Sequence, residues 1–96
     1  MKAYMYILLC ANGQYYTGST TDLDLRVEEH NNGEGANFTA KHLPVKLVYF
    51  EEFRFISEAF LREKQVQNWS RKKKEALING NKKELRSLSK RNKMNP

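Results

Sequence analysis

Residues 4 to 18 read YMYILLCANGQYYTG, two apolar runs joined through Asn12-Gly13. No other stretch constrains the fold as tightly. Asn-Gly between β-prone runs is the strongest short-range hairpin signal. Tyr4 to Cys10 is apolar on both faces, which suits a central strand covered on both sides. Tyrosine is a good strand residue, so tyrosines on both arms are compatible with sheet packing alone. Two phenols on one face would instead make a site.

Loop length decides between these, because side chains alternate along a strand. A two-residue Asn12-Gly13 loop pairs Ala11 with Gln14 and sets Leu9 against Tyr16, which leaves Tyr6 and Tyr16 on opposite faces. A three-residue loop, Ala11-Asn12-Gly13, with Gly13 left-handed in a bulge, pairs Cys10 with Gln14. Tyr16 is then opposite Leu8, and Tyr6 opposite Gly18. Both phenols face one way and the glycine leaves room before Tyr6. The bulged loop is the expectation.

The rest of the chain supplies helices and one more strand. Thr21 is read as the N-cap of a helix over 22–32, with Asp22 and Asp24 at its positive end and Gly33 closing it. NNGEGAN, residues 31–37, reads as a glycine-rich loop. Pro44 precedes a third strand over about 45–53, VKLVYFEEF. Ser57 is expected to cap a helix from Glu58 to about Trp69 with Ala59, Phe60, Val66 and Trp69 as its apolar stripe. Further helices are expected at Lys72–Ile78 and Lys82–Leu88, before a mobile tail, KRNKMNP. The fold class is α+β: a three-stranded antiparallel sheet, its first strand central, flanked by helices. Residues 1–80 are expected to form the body of a single domain, to which 81–96 add a basic helix and tail.

At 96 residues a chain buries roughly two-thirds of its unfolded surface, enough for one modest core. No apolar run approaches the roughly 20 residues that a membrane span needs. No signal peptide is apparent, so a cytoplasmic protein is expected. The lone Cys10 lies in an apolar run; it excludes an internal disulfide and reads as a small core residue. Charge is polarised. Residues 62–96 hold 12 of the 17 Lys and Arg against three glutamates, while residues 1–61 hold five basic and eight acidic residues. Such a distribution points to a polyanionic partner, normally nucleic acid.

Two smaller constellations stand out. Arg26 and His30 are four apart on the first helix and share a face. Glu63 lies three and four residues from Phe60, Ala59 and Val66, on or beside an apolar stripe. A carboxylate there needs either an ion-pair partner or a bound cation. A zinc site fails on supply: one cysteine, with His30 and His42 twelve residues apart, cannot provide four ligands. His42 reads as a surface residue.

Together these residues resemble the GIY-YIG nuclease superfamily, specifically its small single-domain bacterial branch, the UPF0213 type. Tyr4-Met5-Tyr6 stands for the first tripeptide and Tyr16-Thr17-Gly18 for the second. GSTTDLDLRVEEHNNGEGA matches the family's Gly-x-Thr, Arg and His-Asn-x-Gly; FTAKHLPVKLVYFEEF matches its Thr…Pro-Val strand; SEAFLREKQVQNWSRKKKEALI matches the helix carrying its metal-binding glutamate. Tyr4 replaces a glycine, and Gln67 stands where the branch has a lysine. The resemblance implies metal-dependent hydrolysis of a DNA phosphodiester, with Tyr6, Tyr16, Arg26 and His30 as catalytic residues. Glu63 would hold a divalent ion, Mg2+ or alternatively Mn2+, as an oxygen-ligated cation with retained waters. Thr39, Lys64, Arg71, Lys72, Lys73 and Lys74 would contact nucleic acid, DNA by the resemblance, with RNA an open alternative. With no separate recognition domain, structure-directed cutting in repair or recombination is expected over sequence-specific cutting, with a protein partner as one source of substrate recognition. The alternative is a nucleic-acid-binding module that keeps the site but cuts poorly or not at all.

Overall fold

The computed structural model describes residues 2–81. Strands β1 (Ala3–Leu9) and β2 (Tyr15–Thr20) form the first hairpin. Helix α1 (Leu23–Asn31) and the single-turn α2 (Asn37–Ala40) follow, then β3 (Lys46–Phe53), α3 (Ile56–Gln67) and α4 (Arg71–Ile78). The sheet is antiparallel with order β2-β1-β3, so the first strand is central. The expected helix at Lys82–Leu88 and the tail after it lie outside the described residues.

The hairpin closes through the bulged loop. The Cys10 N–H donates to the Gln14 carbonyl at 2.9 Å and the Gly13 N–H donates to the Cys10 carbonyl at 2.9 Å. Gly13 has φ +86°, a conformation in which a Cβ is strained. The register then sets Leu8 opposite Tyr16 and Tyr6 opposite Gly18.

Strand β1 is buried on both faces because helices cover both. Tyr6, Leu8 and Cys10 pack with Leu23, Val45, Tyr16, Val27 and Phe38 beneath α1 and α2. Met5 and Ile7 face Val66, Leu77, Tyr15, Val48 and Trp69 on the α3–α4 side. Met5, Ile7 and Leu8 have no exposed surface, and each such side chain stabilises the fold by about 1.5–3 kcal/mol. A register shift between Ile7 and Leu8 interrupts the β1–β3 ladder.

Two helix starts differ from the sequence reading. Asp22, not Thr21, caps α1, its Oδ1 accepting from the Leu25 N–H at 3.2 Å. Helix α3 starts at Ile56, so Ser57 lies inside its first turn; Glu58 Oε1 instead accepts from the Phe55 N–H at 3.1 Å. Phe60 is half exposed and leaves the stripe, while Ala59 and Val66 are fully buried. Ser70 caps α4 through the Lys73 N–H. Asn31, at the end of α1, grips both backbone groups of Val45, donating to its carbonyl at 3.1 Å and accepting from its N–H at 2.8 Å. This clamp fixes α1 to the chain just before β3.

Candidate active site

Tyr6 reaches its position because β1 is central and Gly18 stands opposite it on β2. A Cβ at position 18 would collide with the Tyr6 phenol. The phenol oxygen lies 2.9 Å from His30 Nε2, and Tyr16 packs on the same imidazole with ring centroids 5.2 Å apart. His30 Nδ1 lies 2.8 Å from Thr39 Oγ1, which donates to the Ala36 carbonyl at 2.9 Å. Gly35 makes this contact possible, since a Cβ there would collide with His30 Nδ1.

Helix α1 brings Arg26 to the same place. Its guanidinium interacts with the Tyr6 phenol and pairs with Glu29 at 3.2 Å. Glu63 comes from the other side of the sheet, on α3, which laps the edge strand β2. Ser19 Oγ donates to Glu63 Oε1 at 2.7 Å, and Lys64 Nζ lies 3.7 Å from Oε2. The carboxylate acts electrostatically on both Tyr6 and Tyr16. Tyr6, Tyr16, Arg26 and His30 therefore form one group, and Glu63, held by Ser19 of the edge strand β2, acts on its two phenols through charge.

The site is buried at its centre. Tyr6 is 1% exposed and His30 0%, so the group is a buried phenol and imidazole with Arg26 and Glu63 partly exposed. Burial pushes the Tyr6 phenol up to about 12, and Arg26 only partly opposes that rise. Burial, followed by the Glu63 charge, also raises Tyr16. Burial lowers the His30 imidazole, Arg26 acts in the same direction, and Glu29 opposes both.

The residues expected to contact nucleic acid divide into separate groups. Thr39 has no exposed surface and its hydroxyl serves His30, so it cannot reach a nucleic acid. Lys73 is also buried, its ammonium 4.1 Å from the centre of the Trp69 ring. The Arg71 guanidinium donates to the Gly13 carbonyl at 2.6 Å and stacks on Tyr15, which commits it to the hairpin. Lys64 is half exposed beside Glu63, and its ammonium stacks on Phe60. Lys72 is exposed. Lys74 lines an open groove of about 370 Å³ with Gln14, Tyr15, Phe38 and Arg71.

Among the described residues no three His, Cys, Asp or Glu side chains group as a metal cage. Glu63, oriented by Ser19, is the carboxylate whose charge acts on both phenols. Such a donor suits a hard divalent cation that keeps most of its waters and takes further oxygens from a phosphate. It does not suit zinc held by protein ligands alone. Sequence reasoning missed Ser19 and Gly35. The Gly33-x-Gly35 pair two residues before Asn37 was the signal available for Gly35.

The chain is similar to known proteins over most of its length. A family model described as the GIY-YIG catalytic domain matches residues 2–76. A UPF0213 protein of Staphylococcus saprophyticus is 47% identical over 77 residues, covering 80% of this chain and 94% of its own. An archaeal relative, a UPF0213 protein of Haloquadratum walsbyi, is 47% identical over 74 residues, covering 77% and 83%. The solution structure of a UPF0213 protein from Bacillus halodurans superposes with TM-score 0.53 at 43% identity, over 82% of this chain and 84% of that one. A protein of E. faecalis superposes with TM-score 0.57 at 36% identity, over 83% and 85%.

Proposed function

On the premise that the chain belongs to the GIY-YIG family, we propose that it is an endonuclease that hydrolyses DNA phosphodiesters by water attack, with Tyr6 as the base. The observation that supports this reading is the grouping of Tyr6, His30, Arg26 and Tyr16, with the Glu63 charge acting on both phenols, drawn from four separate elements. With its pKa pushed up to about 12 by burial, the phenol is protonated at pH 7. Tyr6 therefore does not wait as a phenolate. It takes a proton from water as it gives its own to His30 Nε2, 2.9 Å away. Arg26, at the phenol and on the partly exposed rim, stabilises negative charge building on the phosphate. Tyr16 positions water or phosphate.

Glu63, oriented by Ser19, is the residue that would hold a divalent cation, Mg2+ or Mn2+. When bound, that ion supplies polarisation of the phosphate and stabilisation of the departing 3′ oxygen. Lys64, Lys72 and Lys74 supply phosphate contacts that carry no sequence information. This favours substrates chosen by structure, such as branched or single-stranded DNA in repair or recombination.

A Mg2+-dependent cleavage panel of duplex, nicked, branched and single-stranded DNA tests the reading. Wild type should cut at least one substrate. Glu63→Gln and Tyr6→Phe should each lower kcat by several orders of magnitude while DNA binding persists. The near-absence of exposed surface on Tyr6 favours a second reading, a nucleic-acid-binding module that keeps the site but cuts slowly. Binding without Mg2+-dependent cutting on every substrate would select it. Glu63→Gln cutting as fast as wild type would remove Glu63 as the metal ligand.

A further inference from the structure

We infer that Thr39 is a positioning residue that fixes the proton of neutral His30 on Nδ1 and so makes Tyr6 the donor in the Tyr6–His30 hydrogen bond. The argument is a count of hydrogens. The Ala36 carbonyl can only accept, and it lies 2.9 Å from Thr39 Oγ1. Thr39 has a single hydroxyl hydrogen, and that contact uses it. Toward His30 Nδ1, 2.8 Å away, Oγ1 has only lone pairs to present, so Nδ1 carries the N–H. A neutral imidazole has one N–H, which leaves Nε2 as an acceptor. The Tyr6 hydroxyl, 2.9 Å from Nε2, must then donate.

The surroundings keep the ring neutral. His30 has no exposed surface. The titratable and charged groups acting on it or packed against it are Tyr6, Tyr16, Arg26 and Glu29. The net effect of burial and Arg26 over Glu29 favours the uncharged imidazole. Gly35 leaves the space in which Thr39 and Nδ1 meet.

The tautomer has a chemical consequence that rests on the reading of Tyr6 as the base. With its proton directed inward to Nε2, the phenol oxygen keeps its lone pairs for Arg26 and for water. In the reacting step an O–H bond of water breaks and that proton bonds to the phenol oxygen. The original phenol proton passes to Nε2 and gives an imidazolium. The water oxygen bonds to phosphorus as the bond to the 3′ oxygen breaks; the 3′ oxygen leaves with the bonding pair and takes a proton from solvent, and His30 returns its extra proton to solvent through Tyr6. With the opposite tautomer the phenol would accept from Nε2–H and could not pass its own proton to that nitrogen. Thr39, which touches neither water nor phosphate, acts through His30 alone.

The test needs no substrate for its first arm. Long-range 1H–15N correlation spectra of 15N-labelled protein at neutral pH distinguish the two tautomers and the imidazolium. Wild type and Thr39→Ser should show His30 protonated at Nδ1 only; Thr39→Val, of similar volume but lacking the hydroxyl, should show a mixture or the Nε2–H form. In the second arm, Thr39→Val should lower kcat at least about tenfold with KM unchanged, and Thr39→Ser should restore it. An Nε2–H or imidazolium signal in wild type overturns the inference, as does a Thr39→Val ring still wholly protonated at Nδ1. If Thr39→Val does not fold, the wild-type and Thr39→Ser spectra decide alone. A wild type with the expected tautomer that cuts no substrate refutes the nuclease reading and leaves the hydrogen-bond assignment standing.

Discussion

A methyl group at position 18 or 35 has nowhere to go. At Gly18 it meets the Tyr6 phenol, and at Gly35 it meets His30 Nδ1. Neither ring can retreat, because each is packed on every side. Gly18→Ala and Gly35→Ala should each cost about 1–3 kcal/mol in urea unfolding. They should also lower cleavage far more than DNA affinity, which the proposed function assigns to Lys64, Lys72 and Lys74. His30 supplies a second prediction at this scale. Its folded-state pKa is below the ordinary 6.5, so between those two values the unfolded chain binds more protons than the folded one. Stability from His30 is therefore fully present above about pH 6.5 and is lost as the pH falls toward the lowered value. Urea midpoints measured from pH 7.5 downward should fall across that window, and this fall should be absent in His30→Gln.

At the scale of elements, α3 is tied to β3 by a forked ion pair. Arg62 Nε donates to Glu51 Oε1 at 2.8 Å and its Nη2 to Oε2 at 3.1 Å, while the Tyr49 hydroxyl donates to Oε2 at 2.6 Å. Burial would raise the Glu51 carboxyl, but the Arg62 and Tyr49 bonds outweigh it and hold the group below its ordinary value. Arg62→Ala leaves a half-buried carboxylate with only the phenol, and should cost about 2 kcal/mol. The Glu51 titration, followed by NMR, should then move upward. What the sequence made legible here depended on local rules. The hairpin was readable because loop length and strand parity together fix the faces of Tyr6 and Tyr16. The start of α3 was not, because Ser57 has the better capping chemistry and nothing local shows that Glu58 will reach back to Phe55. Helix α2 has four residues, too few for any periodicity. The site followed the same division. Tyr6, Tyr16, Arg26, His30 and Glu63 stand in ordered motifs, but Thr39 met His30 only once α2 folded against α1, a contact that no spacing encodes.

Over the whole molecule, the basic C-terminal half is not one uniform surface. Lys73 is buried against Trp69, and Arg71 is held at the hairpin. Lys72 is exposed and Lys74 lines the groove beside Tyr15. Replacing Lys72 and Lys74 with Ala should flatten the salt dependence of DNA binding by roughly one unit of slope per lost phosphate contact. Lys73→Ala should leave that slope unchanged and lower stability instead. Fluorescence-anisotropy titrations at several salt concentrations, beside urea unfolding of the same variants, separate the two outcomes.

Trp69 lies at the joint between α3 and α4 with the Arg62 guanidinium 5.0 Å and the Lys73 ammonium 4.1 Å from its ring centre. It is the chain's one tryptophan. The only indole chromophore thus sits on the face of the sheet opposite Tyr6 and His30, between two cations carried by different helices. Its emission is an optical gauge of how α3 and α4 are seated. A variant at the phenol–imidazole pair that keeps the native spectrum has changed chemistry with the joint intact, and one that loses it has let the two helices part.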